Sequence, residues 1–179
     1  PTLVSFAVTT GKVQEVISPE FKKANSRVVA IYPEYDANGL PVTESLIATY
    51  HKVTLLMRQG KVLSAYTMGM GGIGEAFMKM AFGNSIGVTL NSNISLEDLV
   101  AKNYGNIILE VLDNSVVNNE YSRVIGHTNT SNVVSYRNEA LNLDEAYKVY
   151  EEVLASVYPT KEVAPTNELI VKDCHERAK

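Results

Sequence analysis

Residues 62–83, VLSAYTMGMGGIGEAFMKMAFG, join a β-rich run to an amphipathic helix through a cluster of glycines. Glycines at a strand-to-helix turn permit positive φ and allow another backbone or an anion to come close. The helix that follows begins with unpaired N–H groups and a partial positive charge. This stretch therefore predicts a backbone cradle for a phosphate or a carboxylate. The residues expected on the buried face of the helix recur at helical spacing: Ile73, Ala76, Phe77, Met80 and Ala81.

The candidate binding residues lie within the glycine cluster: Gly69, Gly71, Gly72, Ile73 and Gly74. We expect the amides of Gly71, Gly72 and Ile73 to face a concave surface, and at least one glycine to need positive φ or to leave no room for a Cβ. The spacing is neither the dinucleotide fingerprint nor the P-loop. In the alternative interpretation the glycines only permit close packing between helix and sheet, and Glu75 in the first turn would oppose a bound phosphate.

Strands and helices alternate on both sides of this turn. Helical spacing predicts a helix from Thr43 to Gly60, a short helix from Ser95 to Tyr104 with Asp98 at its third position, and a last helix capped by Asn142. The first of these should bury Leu46, Ile47, Tyr50, Val53 and Met57. The strand-like runs are Leu3–Val8, which should be buried, Arg27–Tyr32, Val62–Thr67, Ile86–Leu90 and Asn106–Leu112.

The alternation is not strict, because two short strands, Val124–Thr128 and Val133–Tyr136, should pair across a polar turn. This pattern favours an α/β (α+β) fold with a mixed β-sheet layered with helices over a doubly wound parallel sheet. Ser18–Ser26 and Asn114–Glu120 are expected to be loops. We expect a domain over residues 1–160 and a linker or tail over residues 161–179.

The composition of the chain excludes several classes of function. The chain has 179 residues and a net charge of −4, so nucleic acid is a poor candidate partner. No apolar run approaches about 18 residues, so we expect no membrane span, and a cytoplasmic location is the simplest interpretation. Cys174 is the only cysteine and the three histidines do not cluster. We therefore expect no metal site and no catalytic set in this chain.

Five segments together resemble the C-terminal domain of the aminoimidazole-ribonucleotide-synthetase type: Pro1–Val8, Val16–Lys22, Ala65–Asn84, Val124–Gly126 and Leu143–Thr160. The central segment is similar to the family signature Gly-Gly-Leu/Ile…Glu-Met-Ala-Phe-Gly. Within that group the chain is most similar to the phosphoribosylformylglycinamidine synthase family, specifically to the second of its two such domains, which precedes the glutaminase domain.

The resemblance implies a ligase of purine biosynthesis that amidates formylglycinamide ribonucleotide with ATP and glutamine. It implies ATP and Mg²⁺ in the full-length enzyme, with neither expected on the fragment alone. The partners it implies are an N-terminal nucleotide-binding domain and a C-terminal glutaminase domain of the same chain. We expect the chain to be excised from a longer protein, to be inactive alone, and to self-associate through an apolar face that a missing domain would cover.

One departure from the family concerns the residues before the glycine pair. Many members have acidic residues there, in a pattern like Asp-x-Ser-Asp-Gly-Gly, whereas residues 67–72 are TMGMGG. A role for those acids is therefore in doubt, but a cradle of backbone amides needs no side chain. Two other functions stay open: the C-terminal domain of another ATP-dependent synthetase or kinase of the superfamily, and a purely structural interaction domain.

Overall fold

The computed structural model describes residues 2–112 and 121–159, and seven strands within them form one mixed sheet. The strands are β1 Arg27–Ile31, β2 Val62–Thr67, β3 Val88–Leu90, β4 Ile107–Val111, β5 Ser122–Thr128, β6 Val133–Tyr136 and β7 Glu139–Asn142. Their spatial order is β2-β4-β1-β5-β3-β6-β7. Only β3 and β6 run parallel, and the other neighbouring pairs are antiparallel. The predicted mixed sheet is confirmed.

The helices described are α1 Thr43–Arg58, α2 Gly72–Phe82, α3 Leu96–Val100 and α4 Leu143–Ala155, together with a 3-10 turn at Val13–Glu15. The described residues up to Tyr147 form one compact unit, and the described residues from Lys148 to Pro159 belong to a second. Asn142 caps α4 as predicted, since its Oδ1 accepts hydrogen bonds from the backbone N–H groups of Asp144 and Glu145. None of the helices described is long and apolar enough to cross a membrane.

Strand β1 lies between β4 and β5 in the sheet and is buried on both faces. Val28 and Ala30 belong to the apolar cluster that contains the buried residues of α2. Val29 and Ile31 belong to a second cluster that contains Val53 of α1. Because side chains alternate across a strand, this continuous apolar run has a helix on each side.

Helix α2 buries the face that its spacing predicts. The five residues expected there are at most 4% exposed: Ile73, Ala76, Phe77, Met80 and Ala81. Helix α1 buries Val53 as predicted, but its buried face is otherwise rotated, because Thr49 and Leu56 are buried while Ile47 and Tyr50 are exposed. Helix α3 has the predicted Ser95–Asp98 capping box but ends at Val100.

The prediction of a buried strand at Leu3–Val8 is wrong. The segment forms no strand, and Leu3 and Phe6 are 95% and 90% exposed. Apolar and β-branched residues favour a strand, but a strand also needs a neighbouring edge and a surface to pack on. Within the described residues this segment has neither.

The predicted pairing of the two late strands is also wrong. Strand β3 lies between β5 and β6, and β6 pairs instead with β7. The sequence did not indicate β7, because all four of its residues are exposed and carry no apolar alternation. The expected loop at Asn114–Glu120 and the expected tail over residues 161–179 lie outside the described residues.

Candidate functional site at the glycine turn

The glycine turn lies between the end of β2 at Thr67 and the start of α2 at Gly72, as the sequence predicts. Gly72 has φ +66°. A Cβ added there would lie 2.7 Å from the carbonyl oxygen of Leu99 and 2.8 Å from that of Ala101. Both expected requirements, positive φ and no room for a Cβ, are therefore met at Gly72.

Two of the three amides expected to face a concave surface are engaged within the turn. The N–H of Gly71 donates to Oε2 of Glu75 at 2.7 Å. The N–H of Gly72 donates to the carbonyl oxygen of Gly69 at 3.3 Å. These amides are not free donors in this structure, which corrects that part of the expectation, while a role of the turn in anion binding stays a prediction.

Glu75 is also bound to Lys79, whose Nζ lies 2.5 Å from Glu75 Oε1. The bond to Lys79, followed by the bond from the Gly71 N–H, holds the pKa of Glu75 below its usual value. The bond to Glu75 is also the main reason that the pKa of Lys79 is raised. Both side chains remain about one-third exposed, so solvent weakens the pair and its contribution to stability is modest.

The amides of Ile73 and Gly74 differ from those of the preceding glycines. No hydrogen bond to either N–H is found within the residues the structure describes. The N–H groups in the first turn of a helix have no intrahelical acceptor. The N–H groups of Ile73 and Gly74 are therefore the candidate donors for a ligand at the start of α2. A Cβ at Gly74 would lie 3.4 Å from the carbonyl oxygen of Leu99, which leaves limited space in front of that residue.

Beside the turn lies a cavity of about 280 Å³, on the α2 face of the sheet at the end of β1. Ile73 is the residue of the turn that lines it. The other lining residues are Ala30, Tyr32, Tyr35, Asp98, Asn103, Asn106 and Arg123. The cavity combines apolar walls with a few polar groups and is close to the lower end of the size range of small-molecule sites.

The polar groups of the cavity are partly engaged with one another. The Tyr35 hydroxyl donates to Asn106 Oδ1 at 2.6 Å and lies 3.0 Å from the carbonyl oxygen of Tyr104. Burial raises the pKa of Tyr35 to about 12, so the phenol is protonated at neutral pH. Asn106 is 6% exposed. Arg123 and Asp98 form an ion pair at 3.5 Å.

Sequence reasoning missed this cavity, because its lining residues come from segments far apart in the chain. The only local signal was the capping pair, in which Asp98 N–H donates to Ser95 Oγ at 3.0 Å. That pair fixes the start of α3 beside the turn and says nothing about Arg123, which comes from β5.

No metal site is found in the described parts of the chain, where no group of three or more His, Cys, Asp or Glu side chains is suitably placed. The two acidic positions of the family pattern before the glycine pair are taken here by Thr67, at the end of β2, and by Met70. Met70 is 68% exposed. Cys174 and His175 lie outside the described residues.

The fold is similar to that of solved structures of PurL and HypE, although no family model matches the sequence. Thermotoga maritima PurL complexed with FGAR matches with a TM-score of 0.64 and 10% identity, over 74% of this chain and 29% of that one. Phosphoribosylformylglycinamidine synthase II of T. maritima matches with a TM-score of 0.61 and 10% identity, over 90% and 31%. E. coli HypE, a hydrogenase maturation protein, matches with a TM-score of 0.53 and 12% identity, over 71% and 51%.

These similarities show a shared fold, which is the fold that the sequence motifs predicted. Structures of T. maritima PurL complexed with AMPPCP, ADP and ATP match with TM-scores of 0.61, 0.60 and 0.57. The chain spans less than a third of the PurL chains and about half of HypE. The activity and the partners of the whole enzymes are therefore proposals for this chain.

Proposed function

We propose that this chain is a domain fragment of a phosphoribosylformylglycinamidine synthase, the ligase that amidates formylglycinamide ribonucleotide with ATP and glutamine. The observation that supports this most is the shared fold with PurL complexed with FGAR over 74% of the chain. The position of the glycine turn at the start of α2 adds to it. We place the enzyme in the cytoplasm, in purine biosynthesis.

In this proposal the phosphate of the ribonucleotide meets the start of α2. Ile73 and Gly74 offer the two remaining amides, and the helix dipole adds about 0.5–1 kcal/mol for an anion. Arg123 lines the same cavity as Ile73, where it is paired with Asp98 at 3.5 Å, and in this proposal its positive charge turns from that carboxylate to the phosphate. Gly69, Gly71 and Gly72 shape the turn.

The remaining machinery belongs to other domains of the full-length protein. We propose that a preceding domain binds ATP and Mg²⁺, and that a following glutaminase domain delivers ammonia. We expect this chain to supply no catalytic nucleophile of its own, and within its described residues no group of three or more His, Cys, Asp or Glu side chains is placed to hold a metal. The isolated chain should therefore leave formylglycinamide ribonucleotide unchanged in the presence of ATP and ammonia.

A structural scaffold is the second candidate function, and two contacts favour it. The carboxylate of Glu75 already accepts the hydrogen bond of the Gly71 N–H. The carbonyl oxygen of Leu99 lies where it would contact a Cβ at Gly72 or at Gly74. Carbonyl oxygens close to the helix start oppose an incoming anion. In that case the turn is a pseudo-symmetric remnant whose glycines serve packing. The similarity to HypE keeps a domain of another synthetase of the same superfamily open as a third candidate.

Calorimetric titration of formylglycinamide ribonucleotide into the purified chain separates these functions. We expect saturable binding that Arg123→Gln weakens by about tenfold, since a charge-assisted hydrogen bond contributes about 1.5 kcal/mol or more. Arg58→Gln is the matched control, because Arg58 is also exposed and ion-paired, with Glu15, but lies at the end of α1. No binding, or equal loss in both variants, would contradict the proposal and favour a scaffold.

A further inference from the structure

The carboxylate of Glu75 binds the turn in the way that an external anion would. Its Oε2 accepts the Gly71 N–H at 2.7 Å, and its Oε1 lies 2.5 Å from the ammonium group of Lys79. An oxyanion bound by a backbone N–H at a helix start and by a lysine is a common arrangement in phosphate sites. Here the oxyanion belongs to the helix itself.

Two of the glycines are explained by this carboxylate. A Cβ at Gly71 would lie 2.5 Å from Glu75 Cβ and 2.8 Å from Oε2. A Cβ at Gly69 would lie 3.2 Å from the same Oε2. Neither residue needs positive φ, so the space taken by Glu75 is what requires glycine at position 71 and disfavours a side chain at position 69. Gly72 has a different cause, which is its φ and the backbone of α3.

Glu75 and Ile73 lie on different sides of α2. Ile73 is buried and lines the cavity, whereas Glu75 and Lys79 are partly exposed and lie one turn apart on the opposite face. The turn therefore has a cavity side, where Ile73 lies, and an outer side, where Glu75 holds the amide of Gly71.

We propose that Glu75 is an internal anion that closes the outer side of the glycine turn, so that an external phosphate reaches Gly71 only when this carboxylate is absent or displaced. Glu75 thereby restricts external anions to the cavity side. The inference deepens the proposed function. It rests on that function only for the binding of an anion on the cavity side, whereas the closure of Gly71 by Glu75 is a separate claim. Lys79 acts as a positioning residue that orients the carboxylate.

The test is a titration of inorganic phosphate followed by the amide resonance of Gly71 in two-dimensional nuclear magnetic resonance. In the wild-type chain the Gly71 resonance should not shift saturably. In Glu75→Ala it should shift saturably, over phosphate concentrations at which the wild-type resonance does not move. Lys79 is then free to pair with phosphate.

Glu75→Gln keeps an acceptor oxygen and the helix while it removes the charge. Under the proposal its carboxamide oxygen still holds the Gly71 N–H, so phosphate leaves that resonance unshifted. If repulsion by the charge were the only barrier, Glu75→Gln would respond as Glu75→Ala does, and the idea of a closing contact would be overturned. This variant also keeps the test informative should Glu75→Ala unfold.

Glu44→Ala is the matched control, since Glu44 lies in the first turn of α1 and its removal changes net charge equally. It should leave the Gly71 resonance unresponsive to phosphate. A Gly71 resonance that responds equally in the wild-type chain and in Glu75→Ala, or that responds in neither, overturns the inference. The proposed function is judged separately, by formylglycinamide ribonucleotide and Arg123.

Discussion

The backbone N–H of Lys22 donates a 2.7 Å hydrogen bond to the buried carboxylate of Glu110, although 88 residues separate the two in sequence. The other carboxylate oxygen accepts from the N–H of Lys23 at 2.9 Å, and Ser64 Oγ donates to the first at 2.9 Å. Glu110 is thus a fully buried acidic residue in the centre of β4 whose three donors come from a loop and from β2. It ties the loop before β1 to the sheet.

Replacing Glu110 should destabilise the first unit strongly. Glu110→Ala leaves the buried Ser64 hydroxyl and the part-buried N–H groups of Lys22 and Lys23 without their acceptor, and we expect a loss of about 3 kcal/mol in the free energy of unfolding. Ser64→Ala removes one donor and should cost about 1 kcal/mol. Urea unfolding of the two variants measures both values. A loss below about 1 kcal/mol for Glu110→Ala would show that water replaces the carboxylate without penalty.

Gly72 and Gly74 should respond oppositely to alanine. Gly72→Ala places a Cβ against two carbonyl oxygens at a positive φ, and we expect a loss of about 1–3 kcal/mol. Gly74 has ordinary helical φ and a Cβ contact of 3.4 Å, so Gly74→Ala should be neutral or stabilise α2 by up to about 1 kcal/mol. Denaturant unfolding decides this, and a similar loss in both variants would contradict the assignment of the strained position to Gly72.

Glu20 should make the stability of the loop before β1 sensitive to acid. Its ion pair with Lys22, followed by the bond from Ser18, lowers the pKa of Glu20 to about 2. Because the folded pKa lies below the unfolded value, the contribution is present above about pH 4.5 and is lost as pH falls toward 2.

The check is the difference in unfolding free energy between the wild-type chain and Glu20→Gln, measured from about pH 6 down to about pH 2. The difference should shrink over the acid half of that range. Glu44→Gln serves as the control, since Glu44 is an exposed carboxylate of α1. A difference for Glu20→Gln that does not change with pH would show that the ion pair has no thermodynamic effect.

The exposed N-terminal segment should drive self-association of the isolated chain. Three of its apolar side chains are at least 90% exposed: Leu3, Phe6 and Val8. Contact with a partner would remove these side chains from water, which is favourable. We expect sedimentation equilibrium to show association at high concentration, and the double variant Phe6→Ser, Val8→Ser to reduce it. Leu40→Ser, at an exposed turn, should change nothing. A strictly monomeric wild-type chain would contradict the expectation.

Local chemistry predicted much of the fold. Helix α2 has an apolar face at helical spacing, and both the Ser95 capping box and the strand Val62–Thr67 appear where the sequence places them. Each of these features is determined within a few residues. The pairing of β5 with β6 failed, because strand order depends on distant β3.

The site shows the same division between local and distant determinants. The position of the turn and the constraint at Gly72 follow from glycine chemistry. The hydrogen bond from the Gly71 N–H to Glu75 could have been predicted from the sequence. Glu75 follows Gly71 by four residues, and helical side chains point back toward the helix start. The cavity could not be predicted from the sequence, because only the pairing of distant strands brings Arg123 and Asn106 to it.

The central claim is that the start of α2 receives the phosphate of a ribonucleotide, and amide resonances test it most directly. Formylglycinamide ribonucleotide is titrated into the isotope-labelled chain while the signals of Ile73, Gly74 and the Arg123 side chain are followed. The account predicts saturable shifts at these three positions with one common dissociation constant. Shifts that are absent there, or that saturate only at a distant surface such as the end of α1, would contradict it.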